Sequence, residues 1–101
     1  MAKVAKLSES EIQAALKKLE GWSVHSGQLH KTFRFGSFVE AFGFMARAAL
    51  VAESMQHHPE WSNVYDRVTV NLITHDIGGI SDRDLTLAKK LDELAVPPKS
   101  N

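Results

Sequence analysis

The chain has no cysteine, no net charge and no long apolar run, and each absence removes a class of function. Without cysteine there are no disulfides and no thiolate metal sites, and the composition fits a reducing compartment. Twelve basic residues balance twelve acidic ones. That is a poor electrostatic footprint for a phosphate backbone, so direct nucleic-acid binding is not expected. Balanced charge also removes the repulsion that keeps chains apart, so self-association is easily accommodated. No stretch approaches the roughly eighteen uninterrupted apolar residues of a membrane span. The opening Met1-Ala2-Lys3-Val4-Ala5-Lys6 runs into serine and glutamate rather than an apolar segment, so no signal peptide is expected. A glycine-rich phosphate loop, a serine elbow, repeats and low-complexity segments are missing as well. What remains is 44% apolar and 24% charged over 101 residues. This fits one soluble domain over residues 1–101, with a real core, in the cytoplasm.

Patterning predicts the order α-β-β-α-β-β-α. Ser8 with Glu11 three residues on is a capping box, and Ile12, Leu16 and Leu19 follow at helical spacing, so a helix is expected from Glu9 to Leu19 with Gly21 near its C-cap. Trp22 to His25 and Leu29 to Phe35 then alternate, with Ser26-Gly27-Gln28 as the turn of a hairpin. Leu29, Lys31, Phe33 and Phe35 share the core side, Lys31 being its one imperfection. Ser37 with Glu40 opens the longest helix, Phe38 to Gln56. That helix carries two apolar stripes, Phe38-Phe42-Met45-Ala49-Ala52 and Phe44-Ala48-Val51-Met55, where a surface helix needs one. One stripe is expected on the sheet and the other on a partner, most simply a copy of the same helix. Asn63 to Tyr65 and Val68 to Thr74 read as two further strands joined at Asp66-Arg67, and Gly78-Gly79 breaks the chain after them. Ser81 with Asp84 starts a last helix that ends before Pro97-Pro98, leaving a frayed tail to Asn101. Paired hairpins with segregated helices predict an α+β domain, a four-stranded antiparallel sheet with three helices on one face.

Chemistry concentrates in His57-His58-Pro59-Glu60-Trp61 and His75, which put three of the five histidines within nineteen positions. Imidazole exchanges protons near neutrality, so this cluster beside a stacking aromatic suggests acid–base work on a small, flat, polar molecule. Pro59 stops the long helix and holds His58 extended. Glu53 lies on an otherwise apolar side of that helix, four residues before His57, and is expected to meet and orient that ring. His75, before Asp76, becomes a partner for proton transfer only if the fold brings the two loops together. Trp61 either stacks on a planar ligand or fills the core, and Arg83 and Asp84 read by default as cap and solvent-face residues. The three histidines with Glu53 or Asp76 carry donors for zinc, but adjacent His57 and His58 are poorly spaced to reach one ion, so no metal is expected.

Ala41-Phe42-Gly43-Phe44-Met45, Ala52-Glu53, His57 to Tyr65, Thr74-His75-Asp76 and Ser81-Asp82-Arg83-Asp84-Leu85 together resemble the pterin-4a-carbinolamine dehydratases over nearly the whole chain. The resemblance implies the same α+β fold and a homotetramer in which long helices pack together. It implies a lyase that removes water from 4a-hydroxytetrahydropterin in tetrahydrobiopterin recycling, without a cofactor. By the same resemblance His57, His58 and His75 are the active-site histidines, with His57 and His75 as donor and acceptor and His58 holding the substrate. Gln56, Thr74 and Asp76 would line the pterin pocket, Pro59 and Trp61 would shape it, and Glu53, Arg83 and Asp84 would support it. The family often has an acidic residue or asparagine where Gln56 stands, commonly glutamate where Asp76 stands, and often Cys-Ala or a similar pair where Ile77-Gly78 stand. The competing expectation is a binding protein. Vertebrate members act as transcriptional coactivators through the long-helix surface, where Phe44, Ala48, Val51 and Met55 would serve a protein partner, with a nuclear location.

Overall fold

The computed structural model describes residues 4–96. They follow the order α1 (Glu9–Leu16), β1 (Ser23–His25), β2 (Gln28–Arg34), α2 (Phe38–Met55), β3 (Glu60–Val64), β4 (Arg67–Leu72) and α3 (Asp82–Ala95). The strands form one antiparallel sheet in the order β1-β2-β4-β3, with the helices on one face. This is the α+β arrangement the patterning predicts. A short 3-10 turn at His75–Ile77 joins β4 to α3. The tail from Pro97 to Asn101 lies outside the described residues.

Local chemistry explains the boundaries. The Ser8 hydroxyl accepts from the Glu11 backbone, and Glu11 accepts in return from the Ser8 backbone at 2.8 Å. That second bond holds the Glu11 carboxyl below its ordinary value. Helix α1 stops at Leu16, three residues before the expected end, and residues 17–20 continue as turns closed by the Leu19 N–H on the Leu16 carbonyl. The β1–β2 loop is the two residues Ser26 and Gly27, both at positive φ, the type I′ geometry that suits the twist of a hairpin. Strand β3 begins at Glu60, three residues earlier than expected, and its turn to β4 is Tyr65-Asp66.

The core is Leu29 and Phe33 from β2, Val68, Val70 and Leu72 from β4, and Ala41, Phe44, Ala48 and Ala52 from α2, closed by Leu87, Ala88 and Leu91 of α3. Phe44 is fully buried, with ring centroids 4.9 Å from Phe33 and 5.0 Å from Phe35. Lys31 runs along the apolar layer to Asp92 of α3, which it meets at 2.8 Å, and its ammonium sits 4.8 Å from the Phe33 ring centre. Trp22 donates to the same carboxylate.

The two stripes of α2 exchange places relative to the expected docking surface. Phe44 and Ala48 are the buried stripe, with Val51 and Met55 packed at its margin, so they are not free for a partner. Phe38 and Phe42 face outward, joined by Val39 and Leu50, at 49%, 58%, 78% and 73% exposed. The buried line is Ala41-Phe44-Ala48-Ala52, which takes Ala52 from the first expected stripe and Ala41 from neither; its small side chains allow the helix to approach the strands closely. Phe44→Ala is expected to lower the unfolding free energy by about 3–5 kcal/mol, read as a shifted urea midpoint at unchanged slope.

Candidate active site

Helix α2 ends at Gln56, which adopts the left-handed conformation (φ 53°, ψ 40°). The Gln56 N–H donates to the Glu53 carbonyl and the His57 N–H to the Ala52 carbonyl, the paired bonds of a Schellman turn. The reversal sends adjacent histidines to opposite environments. His57 turns inward and is 7% exposed, whereas His58 stands at the surface ahead of Pro59.

The second element of the site is the end of β4. Thr74 forms an isolated antiparallel bridge with Gly79, and the 3-10 turn between them swings His75 out to the surface. The two segments meet around an open cleft of about 340 Å³, within the usual range for a small-molecule site. Gln56, His57, His58 and Pro59 enter it from the end of α2, Glu60 from β3, Thr74, His75 and Asp76 from the turn, and Arg83 from α3. The loops that sequence spacing left separate therefore converge. Trp61 instead lies on the inner side of β3 against the core cluster. His25 and His30 stack on each other at 4.2 Å and take no part in the cleft.

Each cleft histidine has its own carboxylate. His57 Nε2 lies 2.5 Å from Asp84 Oδ1, His58 Nε2 lies 2.7 Å from Glu53 Oε1, and His75 Nε2 lies 2.9 Å from Glu60 Oε2. The expected Glu53–His57 pair is not formed. The left-handed residue at Gln56 rotates His57 off the helical line, and Glu53 takes His58. Asp84 is not a solvent-face residue either. It is completely buried, and its Oδ2 accepts from the Thr74 hydroxyl at 2.8 Å and from the Ser81 N–H at 2.9 Å. As the partner of the Ser81 capping box it is fixed by α3, and only one of its oxygens is needed for the cap. The pairing of Glu60 with His75 does not follow from period-2 alternation through Val70 and Leu72, because the 3-10 turn redirects His75. No group of three or more histidine, aspartate or glutamate side chains among the described residues is placed to hold a metal ion.

With this geometry in view, the pattern of relatives is decisive. Residues 5–94 match the model of the family described as pterin 4 alpha carbinolamine dehydratase. The chain belongs to that family. A relative from Solibacter usitatus, provisionally named a pterin-4-alpha-carbinolamine dehydratase, is 59% identical over 90 residues, covering 89% of this chain and 95% of its own. The crystal structure of a Brucella melitensis protein described as transcriptional coactivator/pterin dehydratase superposes with a TM-score of 0.88 at 45% identity, covering 91% of this chain and all of that one. A pterin dehydratase-like protein described as a RuBisCO assembly factor shares the fold, with a TM-score of 0.62 at 23% identity over 73% of this chain and 86% of its own.

The buried and exposed pairs differ in energetic consequence. Asp84→Ala strips the carboxylate from three buried donors and is expected to cost about 3 kcal/mol or more of stability. Glu53→Ala, at the surface, is expected to cost less than about 1 kcal/mol. Parallel urea titrations of the two variants check the contrast.

Proposed function

We propose that the chain dehydrates 4a-hydroxytetrahydropterin to quinonoid dihydropterin, a lyase step in tetrahydrobiopterin recycling. The observation that supports this reading most strongly is the opening of His57 and His75 on one cleft, each with its own carboxylate, in a member of this family. The reaction breaks the C4a–O bond and removes the proton on N5, leaving a C4a=N5 bond and one water. An acid must meet the departing hydroxyl and a base must meet N5, and neither step calls for a metal or a redox carrier. His57 and His75 act as the donor–acceptor pair from opposite sides of the ring. His58, steadied by Glu53, holds the substrate and its hydroxyl. Gln56, Pro59 and Asp76 line the pterin pocket, Thr74 contributes its backbone because its hydroxyl is engaged with Asp84, and Trp61 braces the loop from beneath.

The direct test is the dehydration rate. His57→Ala and His75→Ala are each expected to slow turnover by about 100-fold or more, with nothing measurable left in the double variant. A folded wild-type protein without turnover, or a His57→Ala variant within twofold of it, contradicts the assignment.

A second reading concerns association. The outward apolar row of α2, Phe38, Val39, Phe42 and Leu50, is where a homotetramer would pack its long helices and where a protein partner of a coactivator would bind. We favour the homotetramer, in the cytoplasm. Sedimentation is expected to give a tetramer for the wild type and smaller species for Phe42→Arg/Leu50→Arg. A wild-type monomer at micromolar concentration overturns this reading.

A further inference from the structure

The Asp84 carboxylate lies at the end of a hydrogen-bond chain whose direction is set by its chemistry. The Thr74 hydroxyl has one proton and gives it to Asp84 Oδ2 at 2.8 Å. The 2.6 Å contact between the Thr74 and Ser81 hydroxyls must therefore carry the proton of Ser81. Ser81 Oγ in turn accepts from the backbone N–H of Arg83 at 3.2 Å, and the Ser81 N–H donates to Oδ2 at 2.9 Å. Every hydrogen in the network points toward the carboxylate. Thr74, Ser81 and Asp84 are all buried, so no water competes for these bonds. Asp84 Oδ1 is then left as an acceptor facing His57 Nε2, which must carry its hydrogen. His57 Nδ1 has no hydrogen-bond partner among the described residues, and it is not sealed from solvent: the ring borders the cleft.

We propose that Thr74 and Ser81 are positioning residues which, through Asp84, lock His57 in the Nε2–H form and make Nδ1 the atom that exchanges a proton with the substrate. This rests on the dehydratase reading and specifies the reacting atom. When His57 is the acid, its Nδ1–H proton passes to the 4a-hydroxyl as the C4a–O bond breaks, and water leaves. A base removes the N5 proton, and the electrons of the N–H bond form C4a=N5. When His57 is the base, the Nδ1 lone pair takes the N5 proton and the acid on the other side protonates the hydroxyl. Nε2 keeps its hydrogen throughout, and a substrate's proton never has to pass behind the ring.

The experiment is 15N NMR of histidine-labelled full-length protein at alkaline pH, where neutral imidazole reports its tautomer, with His57 assigned by loss of its signal in His57→Ala. The wild type is expected to show Nε2–H. Asp84→Asn, whose amide donates where the carboxylate accepted, is expected to invert it to Nδ1–H. Thr74→Val, which removes a donor that fixes the carboxylate but leaves it an acceptor, is expected to keep Nε2–H while kcat/KM falls about tenfold and its pH profile is displaced, and Thr74→Ser is expected to restore both. A folded Thr74→Val protein with unchanged kcat/KM and pH profile overturns the role of the hydroxyl chain. A wild-type Nδ1–H tautomer overturns the proposal whatever the variants do. Because the tautomer is read without substrate, it distinguishes this failure from a failure of the dehydratase reading, in which the tautomer would be as stated and turnover absent.

Discussion

One buried carboxylate ties the working parts of this molecule together. Asp84 belongs to α3, yet its oxygens receive hydrogens from the turn after β4 through Thr74, from the start of its own helix through Ser81 and from the loop after α2 through His57. The turn after β4, the start of α3 and the loop after α2, which is 27 positions away, are thereby held together by a single group that solvent does not reach. A buried charge is tolerated only when its lone pairs are satisfied, and here the satisfying donors are the parts of the site. The constraint runs in both directions, since the cleft depends on the carboxylate and the carboxylate depends on the cleft's elements remaining in place.

The contrast between His57 and His58 follows from backbone geometry at Gln56, and the 3-10 turn after β4 adds His75 at the rim. A left-handed residue closing an eighteen-residue helix forces the next side chain toward the core, and Pro59 keeps the one after it extended. The result is one imidazole, 7% exposed, bonded to a buried carboxylate while bordering the cleft, and two at the rim, with side chains 64% and 69% exposed for His58 and His75. Under the proposed dehydration, such a division would fix one proton-transfer geometry while admitting a flat substrate past the other two histidines. It also places a strained, non-glycine residue where the helix meets the cleft, a position at which local strain and function often coincide.

Much of this was legible in the sequence, for identifiable reasons. Element order was readable because the capping boxes at Ser8 and Ser81 and the two periodicities are local signals. The histidine cluster was readable because His57, His58 and Pro59 are adjacent and His75 abuts a break. What escaped was non-local or conformational. The His57–Asp84 bond spans 27 positions, and nothing in the spacing links a helix-capping aspartate to a histidine on another segment. The Glu53–His57 expectation assumed that the helix continued, and one left-handed residue redirected it. The partner-facing side of α2 differs from the expectation because both stripes are apolar, and only the close approach of the sheet to Ala41, Ala48 and Ala52 shows that Phe44 and Ala48 face inward while Phe38 and Phe42 face out.

The central claim is that this cleft, and no other part of the surface, receives a pterin. The most direct test is titration with a non-reacting dihydropterin while following the imidazole nitrogen resonances of all five histidines. The account predicts that His57, His58 and His75 shift together with one dissociation constant, while the stacked pair His25 and His30, outside the cleft, stays still. Binding that moves His25 and His30, or that leaves the three cleft histidines unchanged, would contradict it.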